Sequence, residues 1–208
     1  MNDVMIDLET WGVNPGCGIR SIGGVFFDPK SEQTGAEAYC NVDRESCRVA
    51  GLREERKTLD WWERQSAAAK EALQTNPIPV YDALERLNRW LLNNCEDVKQ
   101  LRLWCHGAIF DEPITSAAMR ILYIEPVWQF YNVRCTRTLY EAYGLDPRTV
   151  GRLGTHHNAL DDARHQVRCV QMAHLLQTSM LERAAWREPE EQPPRSWLSR
   201  AIFWERSR

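Results

Sequence analysis

Polar and apolar residues alternate along DVMIDLET, from Asp3 to Thr10, and a second extended stretch, Ile19–Asp28 (IRSIGGVFFD), follows Asn14-Pro15-Gly16. A period of two on either side of a turn sequence predicts two strands joined as a hairpin. A third short strand is expected around Ala36–Val42, where Tyr39 and Val42 favour extended backbone. The period then lengthens. Thr58 to Leu73 (TLDWWERQSAAAKEAL) predicts one helix capped by Thr58, and Val80–Leu92 repeats apolar residues at Val80, Leu84, Leu87 and Leu91. Asn76-Pro77-Ile78-Pro79 separates the two. Leu101–His106 alternates again as a strand. Asp111–Ile121 and Thr136–Tyr143 read as helices, the latter closed by Gly144, and a last long helix is expected from Ala159 to about Gln177. Hairpin strands followed by alternating strands and helices predict an α/β fold, a mixed sheet flanked by helices.

Past Met180 the pattern gives way to Pro189, Pro193, Pro194 and a short acidic run. The expected organisation is therefore one domain over residues 1–180, then a linker and tail over 181–208. In the tail, Trp197, Phe203 and Trp204 interleave with Arg195, Arg200, Arg206 and Arg208. That composition suits either a grip on nucleic acid or a short amphipathic helix docked on the domain or on a second subunit.

Composition narrows the class. The chain is 43% hydrophobic and 26% charged, as in soluble globular proteins, and no apolar run reaches the roughly 18 residues of a membrane span. MNDVMIDLET has no basic cluster ahead of an apolar stretch, so it does not read as a secretory signal, and the expected location is cytoplasmic. The seven cysteines are scattered and never form CxxC, which points to reduced thiols rather than disulfides or structural zinc. A net charge of −3 and a pI of about 6.0 exclude binding of nucleic acid through bulk positive charge. Any such contact must be local.

The acids carry the chemical signal. Asp7 and Glu9 stand two apart on a predicted strand, so the pleat sends both carboxylates to one face and Ile6 and Leu8 to the other. Two neighbouring hard-oxygen donors suit Mg²⁺ or Mn²⁺, whereas on an edge strand they would only face solvent. In LWCHGAIFDEP, His106-Gly107 forms a turn, Phe110 an anchor, and Asp111 a helix start, where an N-cap role is equally open. A third cluster is His156-His157-Asn158-Ala159-Leu160-Asp161-Asp162. On one regular helix His157 and Asp162 would diverge by about 140°. Both reach a common cleft only if His157 belongs to the preceding loop, after Gly151–Gly154, and Asp162 to the helix. His156 and Asp161 are then the spare neighbours, with a one-residue exchange of roles still open.

The ordered set DLET, HGxxFD and HxAxxDA resembles the DEDDh 3'-5' exonucleases of the ribonuclease H-like superfamily. The longer wording MIDLET, SIGGVFFDP, TLDWWERQS and HNALDDARHQ is similar to one branch, the 3'-5' exoribonuclease-like domains of prophage and mycobacterial proteins and of some exonuclease VIII N-terminal regions. The resemblance spans residues 1 to about 178. It implies a ribonuclease H-like fold in which Asp7, Glu9, Asp111 and Asp162 hold two Mg²⁺ ions, with Mn²⁺ as a substitute. It further implies that His157 acts as general base and that Thr10 and Trp11 contact the terminal nucleotide, Trp11 stacking on a base or packing under the Asn14-Pro15 turn. Trp61, Trp62 and Gln65 match the branch wording and share a predicted helix, where packing or substrate contact is open. The activity implied is release of nucleoside monophosphates from single-stranded or 3'-overhang ends, RNA favoured. A DNA-directed exonuclease of phage recombination or repair and a noncatalytic nucleic-acid-binding adaptor are the alternatives. Nine tryptophans suit an aromatic homodimer interface as well as an aromatic core.

Overall fold

The computed structural model describes residues 1–107 and 109–185. The alternating N-terminal residues form β1 (Asp3–Thr10), paired antiparallel with β2 (Ile19–Phe27). β3 (Thr34–Asn41) pairs antiparallel with β2, while β4 (Arg102–Cys105) and β5 (Val133–Cys135) add in parallel beyond β1. The order is β3-β2-β1-β4-β5, the expected mixed sheet. The third strand is Thr34–Asn41 rather than Ala36–Val42, because Val42 leaves the ladder to bridge Ile78. With three residues, β5 is too short to show a period.

The first helices are short: α1 (Arg44–Val49), α2 (Arg56–Glu63) and α3 (Ala67–Ala72). The single helix expected from Thr58 to Leu73 is thus divided, and the position before α2 is Glu55, not Thr58. Arg64 N and Gln65 N turn back onto Trp61 O and Trp62 O at 3.1 Å each, while Gln65 Nε2 donates to Trp61 O at 3.0 Å. These tight bonds satisfy the last carbonyls of α2 and stop it.

β1 lies at the centre of the sheet, and both of its faces are covered. Val4, Ile6 and Leu8 pack with Ile22 and Phe26 beneath α4 (Val80–Asn94) and α5 (Asp111–Ile121). Leu84 and Leu91 of α4 are fully buried, each contributing about 1.5–3 kcal/mol. Met5, Val25, Phe27 and Trp104 pack on the opposite face beneath α6 (Thr136–Tyr143) and α7 (Ala159–Ala185). Gly144 ends α6 in the left-handed conformation, as its position predicts. α7 runs past the expected Gln177, and past residue 180, to Ala185. Residues 186–208, including the basic and aromatic tail, lie outside the described residues. Among the described residues, no helix is long and apolar enough to cross a membrane. Among the described residues, the seven cysteines form no disulfide.

Gly23 sets how close α7 comes to the sheet. It pairs with Asp7 across β1 and β2, and a Cβ at this position would stand 2.2 Å from the Ala159 carbonyl carbon and 2.4 Å from Leu160 N. Those are backbone atoms at the start of α7 and cannot swing aside. Gly23→Ala is therefore expected to lift the start of α7 from the sheet and cost about 3 kcal/mol, at the upper end for overpacking, read as a shift in the urea midpoint. A midpoint within a few tenths of a kcal/mol of wild type would show that α7 tilts without strain.

Candidate active site

Asp7 and Glu9 share the α7-facing side of β1 with Asp3 and Met5, as the pleat requires. Central placement, not an edge, leaves Asp7 at 8% and Glu9 at 7% exposure. The three acids of this face are treated differently. Asp3 is neutralised within the protein by Arg102, with Arg102 Nε at 2.7 Å and Trp104 Nε1 at 2.8 Å from Asp3 Oδ1. Among the described residues, the side-chain donor to Asp7 is neutral, Gln166 Nε2 at 2.6 Å. Burial, reinforced by Asp111 and Glu9, pushes the Asp7 carboxyl well above its ordinary range. Burial likewise pushes Glu9 up to about 8, against the opposing pull of Arg20.

Asp111 is the first residue of α5, whose N-cap position is Phe110. Its carboxylate does not cap the helix. Oδ1 accepts from Leu8 N at 3.1 Å and Oδ2 from His106 N at 3.2 Å, tying the start of α5 to β1 and to the end of β4. At 1% exposure, burial raises it to about 7.

The third cluster resolves as expected. Asn158 Oδ1 accepts from Leu160 N and Asp161 N at 3.1 and 3.2 Å, and so caps α7. His157 stays in the preceding loop with φ of +63°. Asp161 is engaged elsewhere, by Thr155 N at 2.8 Å and Arg164 at 2.9 Å. Asp162 therefore turns inward, and Glu9, His157 and Asp162 each place a ligand atom within 4.8 Å of the others. Burial, His156 and Arg152 hold the His157 imidazole below its ordinary value, so it is uncharged at neutral pH.

Thr10 and Trp11 sit where β1 leaves the sheet, after an irregularity between Glu9 and Thr10. Thr10 Oγ1 donates to Gly12 O at 2.6 Å and Thr10 O accepts from Trp62 Nε1 at 2.9 Å. Trp11 is 8% exposed, with the Arg20 and Arg44 guanidiniums each 4.3 Å from its ring. Its ring is covered by protein rather than open as a platform.

Several residues of the site had no assigned place beside it in the sequence, although Trp61 and Trp62 stood out there as a helical pair with packing or substrate contact open. Arg20 lies between Trp11 and Trp62, 4.0 Å from the latter. Trp61 meets His157 edge to face at 4.8 Å and 87°, and Trp62 stands 6.1 Å from the same ring. A ladder of Trp11, Arg20, Trp62, Trp61 and His157 thus connects the end of β1 to the histidine loop. Gln166 was open to discovery, being four residues after Asp162 on one helix face. Arg152, which pairs with Asp162, was not.

The donor set fits divalent cations. Buried carboxylates crowded on one another are expensive, and ligation by hard oxygens is the arrangement that Mg²⁺ and Mn²⁺ favour.

The model of the family described as "3'-5' exoribonuclease Rv2179c-like domain" matches residues 2–174. The chain is 24% identical over 166 residues to the exodeoxyribonuclease of Enterobacteria phage T4, covering 68% of this chain and 72% of that protein. Its fold is similar to the nuclease domain of 3'hExo, a DEDDh family member bound to rAMP, with TM-score 0.53, 13% identity, and 85% and 92% of the two chains covered. It is also similar to cell-death related nuclease 4 (CRN-4), with TM-score 0.54, 14% identity, and 82% and 62% covered.

Proposed function

The chain belongs to the Rv2179c-like 3'-5' exoribonuclease domain family, and from that premise we propose that Asp7, Glu9, Asp111 and Asp162 hold two divalent ions while His157 serves as the base of phosphodiester hydrolysis. The protein is a 3'-5' exonuclease of DEDDh type. The observation that carries the site assignment is the convergence of Glu9, His157 and Asp162 within 4.8 Å beside the buried, cation-poor Asp7. Mg²⁺ is the expected ion, with Mn²⁺ able to replace it.

Bound at these carboxylates, the ions supply Lewis-acid polarisation of a phosphoryl oxygen and offset the charge that develops on it. The residues of the chain do the rest. His157, uncharged at neutral pH, accepts the proton of the attacking water at an unprotonated ring nitrogen. Trp61 fixes the ring through its edge contact, and the left-handed backbone at His157 aims it toward Glu9 and Asp162. Gln166 orients the Asp7 carboxylate. Asp111, held by two backbone N–H groups, keeps its carboxylate pointed at the end of β1. Thr10 ends β1 beside the place of the terminal nucleotide, and Trp11, buried against Arg20 and Arg44, supports that strand end from beneath rather than stacking on a base.

RNA is the favoured substrate, released as nucleoside monophosphates from single-stranded or 3'-overhang ends. The family description and the rAMP held by 3'hExo support this reading. The phage T4 relative is named an exodeoxyribonuclease, which supports a second reading, DNA-directed trimming.

A gel assay tests both. RNA and DNA oligonucleotides labelled at the 5' end, single-stranded or with a 3' overhang, are incubated with Mg²⁺, Mn²⁺ or EDTA. Stepwise shortening with either metal and none in EDTA is expected, faster on RNA, with His157→Ala slower by about 10²–10⁴-fold. Shortening in EDTA would refute the metal assignment, and a fully active His157→Ala would refute the base.

A further inference from the structure

Arg152 stands between the carboxylates of the site and an adjoining cavity. Its guanidinium pairs with Asp162, and its charge also acts on Asp7 and Glu9. Arg152 is the protein cation paired with Asp162 in a carboxylate cluster suited to metal ions, and it and a metal ion cannot both claim that carboxylate. On the other side, Arg152 lines a cavity of about 540 Å³ that continues from Asp7 and Asp162 past His106, His165 and Arg148. Arg148 is committed to Asp146 through its own hydrogen bonds of 2.8–3.2 Å. Arg152 is the arginine of this cavity whose acid partner lies in the proposed metal site.

The segment that carries it is not held by helix or strand hydrogen bonds. Arg152 lies outside helix and strand, after the turn at Pro147–Thr149 and before α7, between Gly151 and Gly154. Gly154 takes φ of +86° and Gly151 has no atom within 4 Å of where its Cβ would be. A planar guanidinium matches a phosphate as well as a carboxylate, by two parallel hydrogen bonds.

We propose that Arg152 is an exchanging cation: it neutralises Asp162 until divalent ions load the carboxylates, and then turns into the adjoining cavity to hold a backbone phosphate of the nucleic-acid strand. Metal loading and strand binding are thereby coupled, each favouring the other by the same factor. A nucleic acid approaching the metal-free site meets carboxylates whose nearest cation is already occupied. After loading, the same arginine is free to receive it. The inference rests on the proposed role of Asp162 as a metal ligand.

The test measures Mn²⁺ binding by calorimetry, with and without a single-stranded oligonucleotide bearing phosphorothioate linkages at its 3' end. Wild type, Arg152→Gln and Arg152→Lys are compared, with thermal melting as a check of folding. Without the oligonucleotide, Arg152→Gln is expected to bind Mn²⁺ about tenfold more tightly than wild type. In saturating Mn²⁺ it is expected to bind the oligonucleotide about tenfold more weakly, so that the factor by which Mn²⁺ tightens strand binding falls toward one. Arg152→Lys, which keeps the charge without the planar fork, should fall between. An arginine that contributes only a fixed positive charge would leave the coupling factor at its wild-type value in Arg152→Gln, and that result overturns the exchange. If wild type binds no Mn²⁺, or Asp162→Asn binds it as well as wild type, the metal assignment itself fails and this inference with it.

Discussion

Asp7→Asn is expected to slow 3'-end trimming by about 10³-fold or more while making the metal-free protein more stable than wild type at pH 8, by about 1–2 kcal/mol. The two effects have one cause. Asp7 is buried in the central strand with Asp111 and Glu9 as its charged neighbours, and its hydrogen-bond donor, Gln166, is neutral. An asparagine keeps an oxygen for Gln166 Nε2 and fills the same volume. It removes the carboxylate that cannot ionise there cheaply, and with it a ligand for the ions that the chemistry needs. Single-turnover rates in Mg²⁺ and urea midpoints in EDTA read the two halves separately. If both activity and stability fall, Asp7 is a structural acid like Asp3, whose partner Arg102 makes it part of the framework. If neither changes, the site lies elsewhere.

The legible parts of this site are those where a local period meets a chemical constraint. Asp7 and Glu9 could be placed together because a pleat has a period of two, and His157 could be assigned to a loop because a helix would turn it away from Asp162. The structure puts both where that reasoning does. What stayed hidden depends on distance in sequence. Gly23 reads only as a strand glycine until Ala159 and Leu160 arrive against it. Trp61 and Trp62 read as a helical pair, and nothing in TLDWWERQS says that His157 will stand edge-on to one of them. Arg152 sits in a glycine-flanked loop without any pattern. The division of the helix at Arg64 and the three-residue β5 escaped for a different reason, since elements this short are settled by tertiary hydrogen bonds rather than by periodicity.

Raising the pH from about 6.5 to 8 is expected to destabilise the protein in EDTA and to increase the stabilisation that Mn²⁺ provides. Glu9 is raised to about 8, Asp111 to about 7 and Asp7 well above its usual range, so in this window the folded state keeps protons that the unfolded chain has already released. Where the folded state binds more protons, stability falls as pH rises, by about 1.4 kcal/mol per unit for each group that is still protonated. The loss between pH 6.5 and 8 is therefore roughly 2–4 kcal/mol. Groups shifted the other way offset part of this at the start of the window. Burial lowers His106 to about 4 and also lowers His157 and His165, and since the unfolded histidines are only half deprotonated at about 6.5, each still adds about 0.4 kcal/mol as the pH rises further. The raised thiols of Cys17, Cys40, Cys47 and Cys169, at about 11 to 12, matter only at higher pH. Mn²⁺ requires the ionised carboxylates, so protons compete with it less at pH 8, and its stabilisation, about 2.7 kcal/mol at a hundred times the dissociation constant, grows as the apo protein weakens. Urea titrations at pH 6.5 and 8, with EDTA or Mn²⁺, measure all four corners. A flat or rising curve in EDTA would mean that the three acids ionise freely in hydrated surroundings, and a metal effect indifferent to pH would place the ion away from Asp7, Glu9 and Asp111.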